Sequence, residues 1–226
     1  LRGVSTLSAD NLFVNDIHEF LATKNVLRNG TIALDRHTPG IEFEDVAFAY
    51  PGSENSQEAD KGRTIFEKIN FTIKPGEKIA IVGVNGAGKT TLTKLLMRFY
   101  DPTNGIVRIG GHDARDVEIS SYYRKIGYLS QEYDKFKMIT KDAIAIGDTS
   151  VPTDLPRVID AAKRAGAHEF IESWPHKYDT QLGNEFEGGI QPSIGQWQKL
   201  ALARLFYRDP QIWILDEPTA SIDSVA

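Results

Sequence analysis

The chain has 226 residues, 41% of them hydrophobic and 25% charged, with a formal net charge of -5. This is an ordinary globular composition, enough for one large domain or a domain plus an appendage; the acidic balance gives no sign of nucleic-acid binding, which goes with a basic excess. Cysteine is absent, which excludes disulfides, thiolate metal sites and cysteine nucleophiles, and no signal peptide or apolar run of the roughly 18 residues that cross a bilayer is expected, so any spanning part would lie elsewhere.

In chain order, Asn11 to Asn25 predicts an amphipathic helix with Phe13, Ile17, Phe20 and Leu21 on one face. Thr31 to Gly40 reads as a linker closed by Pro39-Gly40. Ile41–Val46 and Thr64–Ile73 read as strands of an antiparallel portion. The polar stretch from Ser53 to Gly62 is longer than a hairpin needs and reads as a solvated, mobile loop. Pro75-Gly76 marks a turn into a short buried strand, Lys78 to Val82. Thr90 to Tyr100 predicts a helix with Leu92, Leu95, Leu96 and Phe99 on one face. Gly105 to Ile109 with Gly110-Gly111 reads as a strand and turn, and 132–190 as a helical arm. Arg157, Lys163, Arg164 and Lys177 are expected on a solvated face of that arm. Tyr122-Tyr123 reads as core packing, with a place beneath a helix of another domain as the alternative. Asp209-Pro210 ends a helix ahead of a strand, Ile212 to Leu215.

The expected strand and helix flank Gly83-Val-Asn-Gly-Ala-Gly-Lys-Thr90, which fits the G-x-x-x-x-G-K-[ST] pattern of a phosphate-binding loop. In that context the amides of such a turn and the helix N-terminus form an anion cradle. Gly83, Gly86 and Gly88 let the chain wrap closely. Gly83, Val84, Asn85, Gly86, Ala87, Gly88, Lys89, Thr90 and Thr91 are therefore the candidate triphosphate contacts, with Lys89 reaching the β- and γ-phosphates and the Thr90 hydroxyl holding Mg²⁺. The strand 212–215 runs into Asp216-Glu217. A buried parallel strand delivers such acids to the edge where α/β sheets bind ligands. Asp216 is the candidate Mg²⁺ ligand and Glu217 the candidate general base.

Together these motifs resemble the nucleotide-binding domain of exporter-type ABC transporters over roughly residues 41 to 226. Leu215-Asp-Glu-Pro-Thr-Ala-Ser-Ile-Asp223 resembles the Walker B motif running into the D-loop, with Asp223 as the D-loop acid. By the same resemblance Gln131, in Ile126-Gly-Tyr-Leu-Ser-Gln131, is the Q-loop glutamine that contacts Mg²⁺ and water, and Tyr50 is the aromatic that stacks on adenine. Ala167 to Pro175 with Tyr178-Asp-Thr180 resembles the exporter helical subdomain. Residues 1–40 resemble the cytoplasmic end of a membrane domain, although any amphipathic surface helix would read alike. The implied fold is α/β: a P-loop NTPase (RecA-like) core with an antiparallel β subdomain and a helical signature subdomain. The implied activity is ATP hydrolysis at the cytoplasmic face of a membrane, driving export with a fused or attached transmembrane domain and a second nucleotide-binding domain. A soluble ABC ATPase or a non-hydrolysing nucleotide sensor is the alternative.

Two departures stand out. The family signature Leu-Ser-Gly-Gly-Gln is here Pro192-Ser-Ile-Gly-Gln196, followed by a well-matched Trp197-Gln-Lys-Leu-Ala-Leu-Ala-Arg204. Ser193, Gly195 and Gln196 keep their places, facing the γ-phosphate held by a second domain, and Ser193 is suited to an N-cap. Ile194 either loosens that approach or points away. An altered signature beside an otherwise intact motif set suggests a heterodimer with one weak site; a homodimer that tolerates Ile194 is the competing view. His18, His37, His112, His168 and His176 all precede the acids, so none matches the family's downstream switch histidine, and the segment reads as part of a longer protein.

Overall fold

The computed structural model describes residues 14, 17–18, 20–22, 27–35, 37, 39–51, 64–84 and 86–216. Strand β1 (Ile41–Ala49) lies between β2 (Thr64–Ile73) and β3 (Asn104–Ile109), and β4 (His112–Asp113) completes an antiparallel sheet of order β2-β1-β3-β4. Ile41, Phe43, Val46 and Phe48 of β1 are buried. That spacing breaks strict alternation because the register shifts between Phe43 and Val46, where Asp45 takes φ 48°. Gly105 crosses beside this bulge; a Cβ there would lie 2.3 Å from the Asp45 carbonyl oxygen. Phe43 stacks on Phe71 across the pair, with ring centroids 4.4 Å apart.

Helix α1 (Lys89–Leu96) packs Leu95 and Leu96 into the same core. Helix α2 (Ile119–Lys125) leads into β5 (Ile126–Leu129). Tyr122 of α2 is fully buried and its hydroxyl donates to the Leu96 carbonyl, and burial raises its pKa. This is the core role expected for Tyr122. β5 pairs in parallel with β6 (Ile212–Leu215), Tyr128 opposite Ile214 and Leu129 opposite Leu215. The two strands therefore end on one edge, carrying residues 130–131 and Asp216 side by side; the Asp216 amide donates to the Leu129 carbonyl at 2.9 Å.

A second core holds α3 (Thr140–Ala145), α4 (Leu155–Arg164), α5 (His168–Glu172) and α6 (Ile194–Arg208), built on Ile144, Val158, Ala161, Ile171, Trp197 and Leu200. Helix α6 stops at Asp209, which takes a left-handed cap at φ 52°, and Pro210 turns the chain into β6.

Residues 78–82 form no strand. Ile79, Ile81 and Val82 are exposed rather than buried, because no described strand lies alongside to pair with them. The helix expected to reach Tyr100 ends at Leu96, leaving Phe99 half exposed. The arm 132–190 is helical only in α3, α4, α5 and a 3₁₀ turn at Lys177–Asp179. Arg157 is no solvated side chain: it stacks on the Tyr207 ring, pairs with Asp148 at 3.0 Å and donates to the Tyr207 carbonyl. Phe13, Asn85, Glu217, Asp223 and the loop 53–62 lie outside the described residues, as do most positions of the expected helix 11–25. The described part of that helix is helical, with Ile17, Phe20 and Leu21 exposed.

Candidate nucleotide-binding site

The phosphate loop is shaped by its glycines. Gly86 and Gly88 take φ of 82° and 89°, a region costly for any residue with a Cβ. Gly88 caps α1, and a Cβ there would lie 2.6 Å from the Phe66 ring of β2. Lys89 folds over its own loop, its ammonium donating to the Gly83 carbonyl at 2.8 Å and the Val84 carbonyl at 3.1 Å. The Ala87 amide donates to the Val84 carbonyl at 3.1 Å, closing the turn. Thr90 is exposed at the helix start, whereas Thr91 is buried.

The Tyr50 hydroxyl shares a 3.0 Å hydrogen bond with the Thr91 hydroxyl, which brings the end of β1 against α1. The Tyr50 ring meets Phe48 and Tyr100 edge-on, with centroids 5.0 and 5.4 Å away, and the Lys94 ammonium lies 5.4 Å from its centre. Tyr50 is thus fixed beside the loop by neighbours on several sides.

At the β5–β6 edge the Tyr128 hydroxyl donates to the half-buried Asp216 at 3.5 Å, a long bond. Partial burial and the Asp216 charge both raise the Tyr128 pKa. Gln131 is exposed just beyond this edge. The residue types fit a magnesium–triphosphate: a hydroxyl at Thr90, a carboxylate at Asp216, an ammonium at Lys89, and a loop whose tight curvature around Gly88 leaves no space for a Cβ. Among the described residues no group of three or more acidic or histidine side chains could hold a metal by itself.

The start of α6 carries a full capping box. The Ser193 hydroxyl accepts from the Gln196 amide at 3.2 Å, and the Gln196 side chain accepts from the Ser193 amide at 2.9 Å. Ser193 is the N-cap that the sequence predicts, and the Gln196 side chain is engaged in the cap. The Ile194 side chain is exposed to solvent, at 64%. Its carbonyl accepts from the Tyr133 hydroxyl at 2.9 Å. Beside Gln131 opens a cleft of about 500 Å³ lined by Phe99, Tyr123, Tyr128, Tyr133, Arg204 and Arg208 among others.

Phe66, Tyr128 and Tyr133 are the neighbours of the site that the sequence reading passes over. Only Tyr128 carried a signal, as the outward residue of a four-residue strand that ends two residues before Gln131.

The ABC transporter family model matches residues 66–220. The putative multidrug export ATP-binding/permease protein YgaD of Bacillus subtilis (strain 168) is 36% identical over 225 residues, which cover 99% of this chain and 37% of that protein. The subtilin transport ATP-binding protein SpaT of Bacillus subtilis is 33% identical over 233 residues, covering all of this chain and 36% of that protein. The solved structure of a bacterial Atm1-family ABC exporter with ATP bound superposes with a TM-score of 0.78 at 30% identity, over 98% of this chain and 37% of that one. The chain thus spans little more than a third of the length of these relatives.

Proposed function

The chain belongs to the ABC transporter family as an ABC-type ATPase domain of the α/β P-loop class, and from that premise we propose that it binds and hydrolyses magnesium–ATP to power export across a membrane. The observation that carries this reading is the presence in one chain of a tightly wound loop at Gly86–Lys89 and of a parallel strand pair that ends in Asp216. Residues 41–226 serve as the ATP-binding domain. Residues 1–40 connect it to a transmembrane domain and hold it at the cytoplasmic face; no described helix is long and apolar enough to cross a membrane.

In this reading Gly83, Val84, Asn85, Gly86, Ala87 and Gly88 present backbone amides to the phosphates, and Thr91 fixes Tyr50 for adenine contact. Lys89 swings from the Gly83 and Val84 carbonyls to the β- and γ-phosphates, exchanging two neutral acceptors for anionic ones. Thr90, Gln131 and Asp216 hold magnesium, which when bound neutralises charge developing on the phosphates. Glu217 orients water for in-line attack, so the protein's contribution is positioning and electrostatics. Ser193, Gly195 and Gln196 complete the corresponding site of a second domain, which makes the working unit a dimer. The exposed Ile194 in that surface favours a heterodimer whose other member carries the unaltered signature. The cleft beside Gln131 receives a helix of the membrane domain, and Tyr123 in its lining then meets that helix. The relatives, named as export and transport proteins, give no support to a soluble ATPase or a passive sensor.

The test is Glu217→Gln in the assembled transporter. Nucleotide binding is retained and phosphate release stops; release at near the wild-type rate would remove Glu217 from the base role.

A further inference from the structure

The segment that follows Gln131 is clipped to α6 at two points. At the start of the helix the Tyr133 hydroxyl donates to the Ile194 carbonyl at 2.9 Å. Ten residues further along α6, Arg204 stacks on Phe136 at 4.4 Å from its centre and donates to the Asp134 carbonyl at 3.4 Å and the Ala143 carbonyl at 3.1 Å. With a rise of 1.5 Å per residue the clips stand about 15 Å apart, enough to fix the direction of the segment along the helix as well as its position. Burial pushes the Arg204 pKa down to about 10, so the guanidinium stays charged at neutral pH.

The upper clip joins two functional stretches that are distant in sequence. Tyr133 is two residues from Gln131, and Ile194 lies between Ser193 and Gly195. A carbonyl in the first helical turn has two lone pairs, so Ile194 serves the intrahelical ladder and Tyr133 together. Tyr133, Asp134 and Arg204 also line the cleft, so whatever occupies the cleft presses on the clip itself.

We propose that Tyr133 is a positioning residue for ATP hydrolysis: its hydroxyl ties the Gln131 loop to Ile194, so that a displacement at the cleft moves the Ser193–Gly195 surface with it. The inference rests on the proposed role of that surface in a second domain's site. It adds that the tie to the signature runs through one tyrosine hydroxyl, which the ring alone cannot replace.

Tyr133→Phe keeps the ring and removes the tie. In the assembled transporter it lowers kcat about fivefold, the ordinary effect of one hydrogen bond, with KM for ATP unchanged. In this chain alone, amide exchange at 195–198 quickens in the variant while exchange in α4 does not change. An unchanged kcat, or unchanged exchange at 195–198, overturns the proposal. Lys89→Ala, measured in parallel for ATP binding, reports on the underlying function alone: retained affinity there would contradict the nucleotide site whatever Tyr133→Phe does.

Discussion

Gly88 and Phe66 are packed so closely that a single added methyl would overlap the ring, the Cβ falling 2.6 Å from Cε1 and 2.7 Å from Cζ. The antiparallel sheet thereby sets the floor of the phosphate loop. Gly88→Ala is expected to lower ATP affinity by about tenfold or more, since the clash adds to a left-handed backbone that costs roughly 1–3 kcal/mol for a residue with a side chain. Adding Phe66→Ala should recover part of this loss by removing the clash and leaving the φ cost. Isothermal titration of the two variants checks the order, and equal affinities for Gly88→Ala and wild type would contradict it.

The capping box at Ser193 and Gln196 makes a separate stability prediction. Ser193→Ala removes one of two reciprocal bonds and should cost about 1 kcal/mol, a fall of roughly 2–4 °C in Tm for a chain of this size. Because the bonds share the same two residues, Ser193→Ala and Gln196→Ala should be less than additive. Additive losses in thermal unfolding would mean that the box does not act as a unit.

Ile194 gives the clearest test of the partner. It is exposed on the surface proposed to meet a second domain, so Ile194→Gly should raise turnover of the assembled pair by restoring close backbone approach. Phosphate release measured for the chain alone and with its partner checks this. Full activity of the chain as a homodimer, unaffected by Ile194→Gly, would defeat the heterodimer reading.

Asp148 and Arg157 predict a pH dependence. Hydrogen bonds from Ser150 and then from Arg157 hold the Asp148 carboxyl below its usual range. A depressed folded-state pKa contributes stability that is fully present above the unfolded value near 4 and is lost as pH falls through the folded value. The stability difference between wild type and Asp148→Asn, from urea unfolding, should therefore be flat from pH 7 to about 5 and shrink below. Arg157→Ala should cost about 1–2 kcal/mol at neutral pH through the lost ring contact and carbonyl bond. A loss near zero would return Arg157 to the solvated face.

The glycine turn at 83–90, the Ser193 cap, the break at Asp209-Pro210 and the position of the strand 212–215 were legible in local residue types such as glycines at positive φ, a hydroxyl at the helix start and a proline, whereas the burial expected of that strand is only partial, with Leu215 exposed. The strand at 78–82 misread for the opposite reason. Its apolar run says what could be buried, but a strand exists only where another backbone pairs with it, and that neighbour is not encoded locally. Arg157 looked solvated because the Tyr207 ring that it covers comes from α6, fifty residues away. Phe66 and Tyr133 escaped notice because their roles depend on distance across the fold, to Gly88 and to the Ile194 carbonyl.

The central claim is that Lys89 and Asp216 act on one magnesium–ATP. Calorimetric titration of ATP into the chain, with and without Mg²⁺, for wild type, Lys89→Ala and Asp216→Asn, tests it most directly. Lys89→Ala should abolish tight binding under both conditions, and Asp216→Asn should leave metal-free binding intact and erase the gain that Mg²⁺ gives the wild type. Wild-type affinity in Lys89→Ala, or an undiminished Mg²⁺ effect in Asp216→Asn, would contradict it.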